Sequence, residues 1–264
     1  MSNFDDALAE AFNEFLPVES REIPILSAPA RKQLLTYMGL VAKWNKVFNL
    51  TSVRTPHEMV TQHLLDCVYA VFAMQAFQNS RTPWKTVVDV GSGAGLPGVI
   101  MAILWPDSQI HCVDAVAKKT SFIAQVRAEM QLQNLHSHHA RIETFQLKKD
   151  GIPYFPDLVT CRAYSSIQQF LDTAAISVGP TTTLIAMKGK SDVNRKELLQ
   201  AHAKMDSLGL TVVATPTLAV PGLAAERQLI ILQTKHPLKP LAEVTITNSE
   251  IANSQMASSI SENN

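Results

Sequence analysis

Four glycines crowd into GSGAGLPG at residues 91–98, directly after the β-branched run TVVDV at 86–90. Glycines at such a turn let the main chain approach a ligand closely and adopt positive φ without steric cost. VIMAILW at 99–105 predicts a helix behind the turn, stopped before Pro106. Pro97 suits the helix start, where its missing N–H would be unpaired anyway. In an open parallel sheet, ligands bind beyond the carboxyl ends of the strands. The next strand-like run, QIHCVD at 109–114, ends in Asp114, a carboxylate able to accept both hydroxyls of a ribose. Strand, glycine turn, helix and acid together point to a cofactor that carries a nucleoside. A tight turn with no ligand is the plainer alternative, but so many glycines cost conformational entropy.

Two cofactor classes use this arrangement. Gly93, Gly95 and Gly98 formally satisfy the dinucleotide spacing GxGxxG, so the pattern alone leaves NAD open. Asp89 lies just ahead of the turn, and a carboxylate there would oppose a pyrophosphate. It favours a ligand with a cationic amino-acid end and no phosphate, which describes S-adenosylmethionine.

Beyond the turn, candidate groups are scattered. Arg162 ends the strand-like run DLVTCRA at 157–163, so it should face the same pocket, either organising it or making an ion pair. Ile142 and Glu143 fall in ARIETF at 140–145, after a third strand predicted around 136–140. His136, His138 and His139 lack an obvious fourth ligand nearby and are expected in a solvated loop, with no metal bound. Cys67, Cys112 and Cys161 form no CxxC pair, which argues against a disulfide framework or a zinc site.

These groups need a scaffold, and the hydrophobic pattern supplies one. Residues 4–16, a stretch begun by Ser27 and Pro29, and a stretch from Pro56 to about Gln78 have helical spacing. Residues 1–80 therefore form a helical cap. Past it the period changes, with helices expected at 118–132, 166–177 and 192–206, and strands at 182–189, 210–215 and 227–234. Alternation of this kind predicts an α/β fold, a doubly wound sheet of about seven strands over residues 81–236. The last two strands follow one another without a helix, which predicts an antiparallel pair at one edge. Residues 237–264 include a Ser- and Asn-rich stretch at 242–264 with no Lys or Arg and are expected to be a disordered tail.

Composition narrows the function classes. At 46% hydrophobic and 17% charged residues, the chain can bury a core and is not generally disordered. It has no run of 18 apolar residues, so no transmembrane helix is expected, and its location should be cytoplasmic. With 23 basic and 23 acidic residues, it lacks the surplus typical of a protein that grips bare nucleic acid. Any such grip must be local or shared with other partners.

Several segments occurring together and in order carry a family resemblance: KWNKVFNLTSV (43–53), HLLDC (63–67), DVGSGAGLPGV (89–99), CVD (112–114), ARIETF (140–145), CRAYSSI (161–167) and MKGK (187–190). Over roughly residues 30–235 the chain resembles the bacterial small-subunit ribosomal RNA methyltransferase G family, also called glucose-inhibited division protein B. The resemblance implies a class I methyltransferase sheet behind N-terminal helices. It also implies methyl transfer from S-adenosylmethionine to N7 of one guanine in the 530 loop of 16S rRNA. Carried over residue by residue, Gly91, Gly93, Leu96, Asp114, Ile142, Glu143 and Arg162 would hold the cofactor, with Arg162 also organising the catalytic pocket. Arg54, His63, Lys118 and Lys188 are candidate RNA contacts. Guanine N7 has an in-plane lone pair and no proton to remove, so no general base is required. The expected partner is 16S rRNA, within the small subunit or an assembly intermediate, and the expected state is a monomer. An NAD-dependent oxidoreductase and a non-catalytic RNA-binding assembly factor are the rival readings.

Overall fold

The structure, a computed structural model, describes residues 4–16, 26–78 and 84–234. The expected tail and the boundary between the first 80 residues and the rest lie outside the described residues. Helix α1 (Phe4–Phe15) buries Leu8, Ala11 and Phe12 and carries Asp5 and Asp6 in its first turn, where the helix dipole favours acids. Helix α2 (Ala28–Phe48) starts where the Ser27 hydroxyl accepts from the Ala30 N–H at 3.3 Å. It ends at Asn49, in a left-handed conformation at φ 49°. Arg31 joins the two helices: its guanidinium lies over the Phe12 ring and donates to the Leu16 carbonyl at 2.7 Å.

The third helical stretch is not uniform. It opens as α3 (Pro56–Glu58), widens into a π-helical segment at Met59–Leu65, and returns to α-helix in α4 (Asp66–Phe77). Every residue of α4 from Asp66 to Met74 is buried, as expected of a helix without a polar face. Helices α1, α2 and α4 share one apolar core with the sheet, containing Leu34, Met38, Val68, Val87, Ile100 and Ile231. The helical region thus packs as a layer on the sheet.

The strands are β1 (Thr86–Val90), β2 (Gln109–Asp114), β3 (Leu135–His139), β4 (Leu147–Lys149), β5 (Ile152–Tyr154), β6 (Leu158–Arg162), β7 (Thr183–Lys188), β8 (Leu210–Ala214), β9 (Thr217–Leu218) and β10 (Arg227–Thr234). Seven run in the order β3-β2-β1-β6-β7-β10-β8, with the short β9 paired to β10. From β3 to β7 all neighbours are parallel, whereas β10 is antiparallel to β7, β8 and β9. This is the expected doubly wound sheet with its antiparallel edge. Helices α5 (Gly98–Leu104), α6 (Ala117–Met130), α7 (Ile167–Ala174), α8 (Ser191–Gln200) and α9 (His202–Ser207) make the crossovers.

Three local expectations need correction. The single helix expected at 192–206 is broken between α8 and α9 at Ala201. The β4–β5 hairpin lies in a stretch for which no strands were expected. His136, His138 and His139, expected in a solvated loop, instead lie on β3, the strand expected around 136–140. There the His111 ring stacks on His136 and His138 at centroid distances of 4.7 and 5.2 Å. Burial, with His136 and His138 adding to it, lowers the His111 pKa to about 3. No helix among the described residues is long and apolar enough to cross a membrane.

Candidate functional site

The strand order reverses between β1 and β6, which makes their carboxyl ends the expected ligand crevice. Val90 pairs with Val113 of β2 and with Cys161 of β6. The next residue on each strand is Gly91, Asp114 and Arg162, so three of the expected site residues leave neighbouring strands at one level. Sequence separations of 23 to 71 residues collapse to adjacent positions through strand register alone.

The glycine turn depends on backbone freedom at Gly91, Gly93 and Gly95, whose φ angles are 65°, 58° and 89°. Its amides are spent inside the protein. Gly91 and Ser92 donate to the Val113 carbonyl at 2.9 and 3.2 Å, and Gly95 and Leu96 to the Ser92 carbonyl at 2.7 and 3.0 Å. Gly93 donates to Asp114 Oδ2 at 2.9 Å. The other Asp114 oxygen accepts from Val116 at 2.8 Å, and Lys119 lies 3.6 Å from Oδ2. Asp114 is thereby fixed against the turn.

Asp89 has a different place from the one its charge suggested. It is wholly buried, and its Oδ2 accepts from Gly98 N, at the start of α5, at 2.9 Å. A Cβ on Gly98 would sit 2.3 Å from Cys112 Sγ and 2.8 Å from Asp89 Oδ2, so only glycine fits. Asp89 therefore occupies the position where a dinucleotide's pyrophosphate would meet the helix N-terminus. A dinucleotide is disfavoured there on steric and hydrogen-bonding grounds. Burial pushes the Asp89 carboxyl up to about 7, with the Gly98 hydrogen bond opposing the shift.

Leu96 is buried at the end of the turn, and Ile142 is buried in a 3-10 turn (Ile142–Thr144) that leaves Glu143 exposed. Ile142 packs in the cluster that contains Val88, Val90 and Val113. On the opposite side of the crevice, Ala163 takes a left-handed φ of 62°, which is costly for a residue with a Cβ. That bend follows Arg162 and brings Tyr164 beside the turn, where a Cβ on Gly91 would sit 3.1 Å from Tyr164 Cε2.

Arg162 does not stand free. Its Nε donates to Asp66 Oδ2 at 3.1 Å, while its Nη2 lies 3.0 Å from the same oxygen and donates to the Gln62 carbonyl at 2.5 Å. Arg227 Nε takes the other Asp66 oxygen at 2.8 Å. His63 completes the group, with Nε2 2.7 Å from Thr51 Oγ1 and Nδ1 3.5 Å from Arg162 Nη2. Burial, reinforced by the Arg162 charge, lowers the His63 pKa to about 4.

Two of the candidate RNA contacts are engaged inside the protein. His63 is buried with both ring nitrogens engaged, because the π-helical segment turns it inward. Lys188 is held 2.8 Å from Glu197 with only 9% of its side chain exposed, and it also reaches the Tyr164 carbonyl at 3.3 Å. Glu197 in turn accepts from Ile167 N at 2.9 Å, so this pair braces β7, α7 and α8. Arg54 and Lys118 are exposed. They meet at the end of α2, where Arg54 donates to Asn49 Oδ1 and Lys118 to the Phe48 carbonyl, at 2.8 and 2.9 Å. A groove of about 950 Å³ runs between α1 and α2, lined by Arg31, Lys32, Lys43 and Lys46, and none of its lining residues belongs to the glycine turn.

Sequence reasoning did not single out Tyr37, Asp66, Tyr164 or Arg227 for the site. No short motif joins these residues. The signal for Asp66 was an acid on an otherwise apolar helix, which must find a buried cation.

A family model described as rRNA small subunit methyltransferase G matches residues 30–230. Among curated relatives, the ribosomal RNA small subunit methyltransferase G of Acidovorax sp. (strain JS42) is 38% identical over 238 residues, covering 88% of this chain and 96% of the relative. The protein of the same name from Bordetella avium (strain 197N) is 41% identical over 203 residues, covering 77% of this chain and 84% of the relative.

Proposed function

This chain belongs to the rRNA small subunit methyltransferase G family, and from that premise we propose that it transfers a methyl group from S-adenosylmethionine to N7 of one guanine in the 530 loop of 16S rRNA. The observation that carries the cofactor half is the convergence of Gly91, Asp114 and Arg162 at the ends of three adjacent strands. The bound cofactor supplies an electrophilic methyl on a sulfonium.

The residues fit that group and not a dinucleotide. Gly91 and Gly93 keep the turn free of side chains, Asp114 presents a carboxylate to a ribose, and Ile142 offers an apolar wall to an adenine. Glu143 stands at the outer edge of that wall. The first amide of α5 is already occupied by Asp89, which leaves no place there for a pyrophosphate.

Chemistry at guanine N7 asks the protein for alignment. No proton has to leave, so the site's work is to hold nucleophile and methyl donor in line and to meet the shifting positive charge with fixed dipoles. Arg162, anchored by Asp66 and the Gln62 carbonyl, is a rigid element of that pocket. Arg54 and Lys118 are placed to neutralise RNA phosphates, which position a strand without selecting the base. The target guanine must leave its stack to reach the pocket. The expected state is a monomer acting in the cytoplasm on the small subunit or an assembly intermediate. The domain arrangement is a helical cap on a cofactor-binding sheet.

Calorimetric titration with S-adenosylhomocysteine and, separately, NAD tests the cofactor assignment. Saturable binding of the first and none of the second is expected; the reverse would overturn it.

A further inference from the structure

Asp66 is the one charged residue of α4, and its side chain is 2% exposed. It lies 96 residues from Arg162 and 161 from Arg227, yet touches both. Each guanidinium takes a different carboxylate oxygen: Oδ2 goes to Arg162 and Oδ1 to Arg227. Arg162 comes from the carboxyl end of β6. Arg227 begins β10, whose antiparallel run places its first residue at the same edge of the sheet. The acid on the cap is thus the hub joining two cations at the ligand edge.

The π-helical segment makes the hub possible. Its wider turn brings the Gln62 carbonyl, the His63 ring and the Asp66 carboxylate to one atom, Arg162 Nη2. The His63 nitrogen facing a guanidinium must offer a lone pair, which fits a neutral ring that donates from Nε2 to Thr51 Oγ1. Among the described residues, Asp66 is the one carboxylate in ion-pair contact with either arginine.

We infer that Asp66 is a positioning residue: by engaging Arg162 and Arg227 with its two oxygens, it fixes the Arg162 guanidinium in the orientation that receives the cofactor. The inference rests on the proposed S-adenosylmethionine site. A partner of a buried ion pair left alone is strongly unfavourable, so without Asp66 the Arg162 side chain would swing toward solvent.

A double-mutant cycle read by S-adenosylhomocysteine binding tests this, with thermal unfolding recorded for each variant. Asp66→Asn is expected to weaken binding about tenfold or more, and Asp66→Glu to stay within about threefold of wild type. In an Arg162→Ala background, Asp66→Asn should cost less than about twofold more, because the residue acts through that arginine. A general structural role would instead give additive losses that track the unfolding temperature. Additive losses, or wild-type affinity in folded Asp66→Asn, would overturn the inference. If Asp66→Asn is not recovered folded, Arg227→Gln releases one arm of the same clamp. Its affinity should then fall by about threefold or more, and unchanged affinity would overturn the two-armed clamp. Wild-type protein that binds no S-adenosylhomocysteine would overturn the cofactor assignment itself, and is thereby distinguished from failure of the clamp alone.

Discussion

The Tyr37 hydroxyl donates to the Ala94 carbonyl at 2.7 Å, tying helix α2 to the middle of the glycine turn. Tyr37 is wholly buried, and burial raises its pKa well above the ordinary value, which keeps it a phenol able to donate. The same oxygen lies 3.4 Å from where a Cβ on Gly95 would stand. The N-terminal helices therefore shape the turn as well as cover it.

Replacing Tyr37 by Phe removes that donor and leaves a buried carbonyl without it. Urea unfolding should show a loss of about 1–3 kcal/mol, with weaker S-adenosylhomocysteine binding as the turn loosens. Stability and affinity equal to wild type would show that α2 does not support the turn.

Two glycine substitutions in the same turn should differ. At Gly98 a methyl group meets Cys112 Sγ at 2.3 Å and Asp89 Oδ2 at 2.8 Å, and overpacking of this kind costs about 1–3 kcal/mol or more. At Gly93 the nearest atom is the Gly91 carbonyl oxygen at 3.9 Å, so Gly93→Ala should suffer mainly the left-handed φ penalty of about 1–2 kcal/mol. Chemical denaturation compares them, and a Gly98→Ala variant the more stable of the two would contradict the packing described.

Much of this architecture was legible in the sequence. Runs such as TVVDV and QIHCVD are too short and β-branched for helices, and the apolar stretches between them have helical length. The antiparallel edge followed from two strands with no helix between them. The glycine turn and Asp114 were legible because their chemistry is local. The π-helical segment was not, since a helix that changes width keeps the same apolar periodicity to within a residue. In that segment His63 is a buried ring with a lowered pKa, and just beyond it Asp66 meets partners 96 and 161 residues away. The ion pair of Lys188 was not legible for a related reason: its partner Glu197 comes from another element. Long-range pairing of polar side chains leaves little trace in a single sequence.

Asp89 gives stability a pH dependence of defined sign. Its carboxyl is raised from 3.8 to about 7 by burial, so between those values the folded chain holds a proton that the unfolded chain has released. Stability from this group falls as pH rises through that window, by up to about 1.4 kcal/mol per pH unit, and is level above it. Asp89→Asn should remove the slope, so its stability relative to wild type should increase from pH 4 to pH 7. Urea titrations at several pH values read this directly, and a constant difference across the range would contradict it.

His111 acts in the opposite sense. Its pKa is lowered to about 3 by burial and by His136 and His138, so the unfolded chain gains a proton first as pH falls. The native state should lose stability progressively below about pH 6.5, and His111→Gln should flatten that acid limb. An unchanged acid limb in the variant would rule the ring out as its source.

The basic residues should separate by burial. Arg54→Ala and Lys118→Ala should each lower the slope of log affinity for 16S rRNA against log salt by about 1, with S-adenosylhomocysteine binding unchanged. Lys188→Ala should leave that slope alone and destabilise the fold by about 3 kcal/mol, because Glu197, only 13% exposed, would lose its cation. Filter binding across a salt series, with unfolding curves for each variant, distinguishes the two groups; a salt slope altered only by Lys188→Ala would reverse the assignment.

The central claim is tested most directly by tritium transfer from labelled S-adenosylmethionine to small subunits and 16S rRNA from cells lacking the endogenous N7 methyltransferase, with the modified base then mapped. The account predicts label at N7 of a single guanine in the 530 loop, abolished in Arg162→Ala protein that remains folded. Label at another base or atom, or no label on either substrate while the cofactor still binds, would contradict it.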